Sequence, residues 1–141
     1  MADKEIQVDK QFIDRWSPRA FSSEPIEEAT IKSLFEAARF APSSYNEQPW
    51  RFVYAYKPED LAKFRPLLMD MNRLWADKAP ILIFVLAKKK FTMNGEENFH
   101  GRFDAGAAWM SLALQARSLG LYTHAMGGIH YDKVQEVLGI P

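Results

Sequence analysis

The chain has 141 residues, of which 48% are apolar, 26% charged and 13% aromatic, a size and balance that fit one globular domain over residues 1–141 and exclude a disordered segment or a multidomain assembly. Lysine plus arginine and aspartate plus glutamate number 18 each, so the formal net charge is zero and a nucleic-acid partner is not favoured. With no cysteine, disulfides, thiolate metal sites and a cysteine nucleophile are excluded, and any redox chemistry must come from a bound cofactor.

The opening Met1-Ala2-Asp3-Lys4-Glu5 is too charged for a signal peptide, and the longest apolar run, residues 79–87, is far too short to cross a bilayer. A cytoplasmic protein without a membrane partner is the expectation. Residues 8–15 are weakly helical, with Val8, Phe12 and Ile13 on a shared face, and Ser17-Pro18 breaks the pattern. Over residues 26–40, Ile31, Leu34, Phe35 and Ala38 fall at i, i+3, i+4 and i+7, which predicts an amphipathic helix stopped by Pro42. Residues 42–49 form a polar, turn-rich loop, and the aromatic and β-branched residues of 51–56 predict a strand.

Short helices are expected over 59–68, ended early by Pro66, and over 72–78. The continuous apolar run 81–86 predicts a strand buried on both faces, so helices should cover both sides of its sheet. Residues 91–101 are loop-like. A helix over 104–119 is apolar or small nearly all round, which places it centrally, and Ala105, Gly106, Ala107 and Ala108 allow a partner helix to approach closely. Gly120 marks its end, residues 121–126 predict a strand, and 131–138 a last helix capped by Gly139. Three strands are few for such a sheet, and a further one is expected after Pro141.

Three segments can carry chemistry. In Arg15-Trp16-Ser17-Pro18-Arg19, two guanidiniums bracket a hydroxyl at a chain break, a set suited to phosphate because each planar fork donates two parallel bonds to an oxyanion. The alternative is two solvated arginines beside a turn. The segment Pro42-Ser43-Ser44-Tyr45-Asn46-Glu47-Gln48-Pro49 packs hydroxyls and carboxamides that suit the edge of a planar heterocycle, or that bond only to one another. Met126-Gly127-Gly128, after an expected strand, lets backbone N–H groups approach a ligand, or makes a plain turn. His100, His124 and His130 lack the spacing of a metal pair, Asp104 with Glu96 or Glu97 is not pinned as an acid/base pair, and Lys88-Lys89-Lys90 is most simply a solvated strand exit.

In order and spacing these blocks resemble the FMN-dependent nitroreductases. The likeness runs through Arg-Trp-Ser-Pro-Arg-Ala-Phe, Glu-Ala-Ala-Arg-Phe-Ala-Pro, Pro-Ser-Ser-Tyr-Asn-Glu-Gln-Pro-Trp-Arg-Phe, Trp-Ala-Asp-Lys-Ala-Pro-Ile, Asp-Ala-Gly-Ala-Ala and Leu-Gly-Leu-Tyr-Thr-His-Ala-Met-Gly-Gly. The resemblance implies an α+β fold, a three-layer sandwich with a central mixed sheet flanked by helices, in an intertwined homodimer with FMN at the interface. Arg15, Trp16, Ser17 and Arg19 would then hold the phosphate or ribityl chain. Pro42, Ser43, Ser44 and Asn46 would reach the flavin bound chiefly by the other subunit. Asn72 would contact the ring or ribityl chain, Met126, Gly127 and Gly128 would line the isoalloxazine, and Tyr45 would touch the substrate.

By the same resemblance, FMN takes electrons from NAD(P)H and passes them to nitroaromatic or quinone-like acceptors. Donor and acceptor share one slot, which implies ping-pong kinetics and no obligatory side-chain acid or base. The family continues past the position of Pro141 with a strand, a basic residue and a tail that embraces the partner. Trp16 stands where a smaller or polar residue is common, and His130 where an acidic one is. A flavin-binding module or degenerate fragment without turnover is the alternative. Dehalogenation or flavin breakdown is disfavoured by the short 91–101 loop.

Overall fold

The computed structural model describes residues 7–140; the charged opening at 1–5 and Pro141 lie outside them. Its elements are α1 (Lys10–Asp14), α2 (Glu28–Arg39), a 3-10 turn (Ser44–Asn46), β1 (Trp50–Ala55), α3 (Pro58–Phe64) running into a second 3-10 turn (Arg65–Leu67), α4 (Asp70–Ala76), β2 (Leu82–Ala87), α5 (Gly101–Ser118) and α6 (Tyr131–Leu138). No helix among the described residues is long and apolar enough to cross a membrane.

β1 and β2 pair antiparallel, from Trp50 opposite Ala87 to Ala55 opposite Leu82. Because side chains alternate along a strand, this register sorts the apolar residues onto two faces. Val53, Ala55, Leu82 and Phe84 join Leu61, Phe64, Leu67, Ala76 and Val134 of α3, its 3-10 extension, α4 and α6. Trp50, Phe52, Ile83 and Ala87 turn the other way, onto Leu34 and Ala38 of α2 and Ala105, Ala108, Leu112 and Ala116 of α5. The result is helix layer, sheet, helix layer, as the unbroken apolar run of β2 required. The class is α+β, and the sheet of the described residues is antiparallel and two-stranded where a mixed sheet was expected.

α5 is central, and the close approach its small residues allow is made by α2 of the same chain, through Ala105 and Ala108 against Leu34 and Ala38. Gly106 lies open instead. The helix begins three residues earlier than its apolar pattern suggests, after Asn98, whose side-chain oxygen accepts the His100 N–H. It ends in a Schellman motif: Gly120 (φ 79°) donates to Arg117 O, and Leu121 to Ala116 O. In α1, by contrast, Val8, Phe12 and Ile13 stay more than half exposed, so their shared face meets no core among the described residues.

The expected strand at 121–126 does not form. No backbone ladder joins it to β1 or β2, and the one bridge nearby links Leu68 to Ile129 just beyond it. Side chains hold the segment instead. Trp16 meets Tyr122 edge-on at 5.9 Å, Trp75 stacks on His124 at 4.2 Å, and His124 Nδ1 pairs with the Pro18 carbonyl at 2.8 Å.

Candidate functional site

Those contacts lay Trp16 and Pro18 of the first candidate segment beside Tyr122 and His124, just ahead of the third. Arg15 caps α1 in extended backbone, its Nη1 3.5 Å from Ser17 Oγ. Trp16, Ser17 and Arg19 are exposed, while Pro18 is buried beneath His124. Neither Arg15 nor Arg19 forms an ion pair with a carboxylate among the described residues. Arg19 also borders an open cleft of about 410 Å³ with Phe21, Arg73, Trp75 and Lys78; no other predicted residue lines it.

Asn72, on α4, meets the third segment. Its Nδ2 donates to Gly128 O at 2.9 Å, and Met69 N donates to that oxygen at 3.0 Å. A Cβ on Gly128 would strike the Asn72 amide, whereas one on Gly127 would meet open space. A side chain at 128 would therefore displace the Asn72 amide, and glycine at 127 leaves the backbone approachable. Gly128→Ala should destabilise the fold by about 1–3 kcal/mol, the range for overpacking combined with a lost hydrogen bond. Denaturant titration measures this, and adding Asn72→Ala to the same chain should recover part of the loss by removing the collision.

The 42–49 loop stands apart. No hydrogen bond or ring contact ties it to the group around Arg15, Asn72 and Gly128 among the described residues. It turns through left-handed backbone at Tyr45, Asn46 and Gln48, with φ of 52°, 55° and 49°. Asparagine tolerates that region, but for tyrosine and glutamine it costs about 1–2 kcal/mol each. Internally, Asn46 N donates to Ser43 O and Gln48 N to Ser43 Oγ, each at 3.0 Å. Externally, Ser44 N donates to Asp104 Oδ2 at 3.1 Å, and Asp104 is 4% exposed in the first turn of α5. Pro42, Tyr45 and Asn46 face solvent, with Tyr45 edge-on to Phe91 at 5.9 Å.

Glu47 gives the loop its second anchor. Its carboxylate, 7% exposed, accepts from Thr92 Oγ1 (2.6 Å), Thr92 N (3.0 Å) and Lys88 Nζ (3.2 Å). Hydrogen bonds from the Thr92 hydroxyl and then its backbone N–H, with a smaller contribution from Lys88, outweigh burial and hold the Glu47 pKa down at about 2, against 4.5 ordinarily. A carboxylate depressed in the folded state stabilises the fold above its unfolded pKa and loses that contribution as pH falls through its folded one. Between about pH 4.5 and pH 2, therefore, the native chain should lose stability more steeply than Glu47→Gln; acid titration followed by circular dichroism checks this.

Sequence reasoning missed these anchors. Lys88 is bound to Glu47 rather than a solvated strand exit, and Asp104 serves Ser44 rather than a glutamate. Glu47 and Thr92 lie 45 positions apart, so no local spacing announces them. An aspartate directly before the small-residue run 105–108 was the available signal for Asp104.

Helix layers on both faces of the sheet define an α+β sandwich. Comparison with known proteins makes this specific. The family model described as "Nitroreductase family" matches residues 13–74 and 68–141. An Archaeoglobus fulgidus protein provisionally named an NADH dehydrogenase/NAD(P)H nitroreductase is 30% identical over 139 residues, covering 94% of this chain and 76% of its own length. The Bacillus subtilis FMN reductase [NAD(P)H] is 27% identical over 96% of this chain and 60% of its own. A solved structure described as an oxidoreductase containing FMN superposes with a TM-score of 0.92 at 45% identity, over 99% of this chain and 72% of that one. The chain belongs to the nitroreductase family. It spans 40% of the length of similar proteins from Burkholderia lata and Streptomyces coelicolor.

Proposed function

We propose that this chain is an FMN-dependent oxidoreductase that moves electrons from NAD(P)H to nitroaromatic or quinone-like acceptors, working as a homodimer with FMN in the seam between two copies. The observation that carries the reading is that the candidate residues lie in separately braced segments, Arg15 with Ser17, Asn72 with Gly128, and Ser44 with Asp104, each with polar groups left for a ligand. The likeness to an FMN-containing oxidoreductase along nearly the whole chain supports the same reading.

The residues present fit FMN. Two guanidiniums without carboxylate partners among the described residues and the Ser17 hydroxyl suit a phosphate. The buried Thr123 Oγ1 has no hydrogen-bond partner among the described residues, which leaves a polar group for a ligand beside that segment. Open space at Gly127 admits a planar ring against the backbone. Arg15 and Arg19 would hold the phosphate, Asn72 and residues 126–128 the ring system, and Ser43, Ser44 and Asn46 the ring bound by the partner.

When bound, the flavin supplies two-electron chemistry, accepting hydride from a nicotinamide and reducing the acceptor in turn. The chain's part is to orient that group, to present backbone N–H donors from 126–128, and to exclude water from a flat slot that donor and acceptor occupy in alternation. Phe12, Ile13, Met71, Leu74, Phe99 and Phe103 are each more than half exposed in the single chain, apolar side chains that a second copy would cover. Purified protein should show flavin absorption bands that bleach when NADPH or NADH is added without oxygen. Bands that persist unchanged point to the binding module without turnover, and a colourless chain that rejects FMN contradicts both.

A further inference from the structure

We propose that Glu47 is the positioning residue of the 42–49 loop, tying it to the 88–95 segment so that Ser43, Ser44 and Asn46 are held in the one backbone conformation that meets the cofactor. The inference rests on the cofactor reading above and goes beyond it, because Glu47 itself has no place among the cofactor contacts.

Glu47 sits among residues the backbone does not favour as they stand. Tyr45, Asn46 and Gln48 are all left-handed, and only asparagine adopts that region readily. A loop so bent relaxes unless something outside it opposes relaxation. Contacts internal to the loop, such as Gln48 N to Ser43 Oγ, can move with it. The Glu47 carboxylate cannot, because both its oxygens lie 3.0 Å from the Thr92 backbone N–H and one also accepts the Thr92 hydroxyl. Thr92 is fixed in turn: Phe91 N bonds to Glu96 O at 2.8 Å, and Gly95 N to Phe91 O at 3.0 Å.

Lys88 closes the brace. It leaves the end of β2, donates its backbone N–H to Pro49 O at 2.8 Å, and sets its ammonium against both Glu47 and Thr92. The loop is thus bound to the sheet through its last residue and through Glu47, and to α5 through Ser44 and Asp104. With a side chain only 7% exposed and its acceptors directed at Thr92 and Lys88, Glu47 works on the loop and not on a ligand. Tyr45, resting edge-on against Phe91 of the same segment, is positioned by the same brace.

The test compares the full-length wild type with Glu47→Ala, Glu47→Gln and Thr92→Val. FMN affinity is read by flavin fluorescence, and amide hydrogen exchange is followed over residues 43–48. When only a fraction of molecules keeps the competent loop, the dissociation constant rises by the inverse of that fraction. Glu47→Ala should therefore weaken FMN binding about tenfold if one molecule in ten stays poised, with faster exchange at Gln48. Glu47→Gln, which keeps an acceptor for the Thr92 N–H, should fall between wild type and alanine. Thr92→Val removes the hydroxyl bonds to Glu47 and Lys88 but keeps the backbone N–H, and should weaken FMN in the same direction, which keeps the test decisive if Glu47→Ala fails to fold. A lower melting temperature with unchanged FMN affinity in these variants overturns the proposal and leaves the cofactor reading intact. A wild-type chain that binds no FMN overturns the cofactor reading, and this proposal with it.

Discussion

Replacing Arg19 with alanine is expected to weaken FMN binding roughly 10- to 150-fold, about 1.5–3 kcal/mol, the range for a hydrogen bond to a charged group. The size of the effect follows from what Arg19 does not do in the protein alone. It is exposed, forms no ion pair among the described residues, and lies one residue from Pro18, which His124 fixes in place. Its removal should therefore leave the folding free energy within about 0.5 kcal/mol of wild type. Arg19→Lys should recover only part of the affinity, because an ammonium keeps the charge but not the planar fork. Titration with FMN at fixed ionic strength measures the two affinities and denaturant unfolding the stability, and unchanged affinity in Arg19→Ala would remove this residue from the phosphate site.

The largest expected loss of stability belongs to Leu112→Ala, about 2–5 kcal/mol. Leu112 is 2% exposed, at the middle of α5, packed in the cluster that joins α2 to the Trp50 face of the sheet. Shortening it opens a cavity between helix and sheet that neither can close without moving the other. Against a typical folding free energy of about 5–15 kcal/mol, that is a large share. The site should feel it too, because α5 carries Asp104, the anchor of Ser44. Leu112→Met, which nearly conserves volume, should cost less than about 1.5 kcal/mol. Denaturant unfolding of both variants checks the contrast; equal losses would mean that the α2–α5 contact is loosely packed.

The parts of the fold that were legible are those where local pattern and tertiary packing make the same demand. The unbroken apolar run that became β2 could only be buried on both faces, and helix layers cover both. The pattern of α5, apolar nearly all round, placed it at the centre, and Gly120 ended it in the left-handed conformation that glycine permits. The 121–126 segment was not legible because β-propensity describes a side chain that fits an extended, half-buried surface, not whether a neighbouring strand is there to complete a ladder. Its contacts are instead Trp16, Pro18 and Trp75.

The candidate site divides in the same way. Arginines around Ser17 and hydroxyls and carboxamides around Tyr45 are visible as composition. That Trp16 and Pro18 lie against Tyr122 and His124 is a contact across 106 positions in each case, and nothing in either segment points to the other. Asn72 was placed by resemblance alone, and the structure sets its amide on Gly128. Glu47 read as one more polar residue of a turn, because its function depends on Thr92, a residue of a loop with no regular pattern of its own.

A mixed dimer tests the shared seam most directly. Arg19→Ala and Asn46→Ala chains, co-expressed with different tags and purified as the mixed pair, should carry one site with both changes and one with neither. FMN should then bind half the sites with wild-type affinity, although each parent homodimer binds weakly at both. If every site of the mixed pair is as weak as in the parents, then each flavin is held within a single chain and the account of two copies sharing a cofactor is wrong.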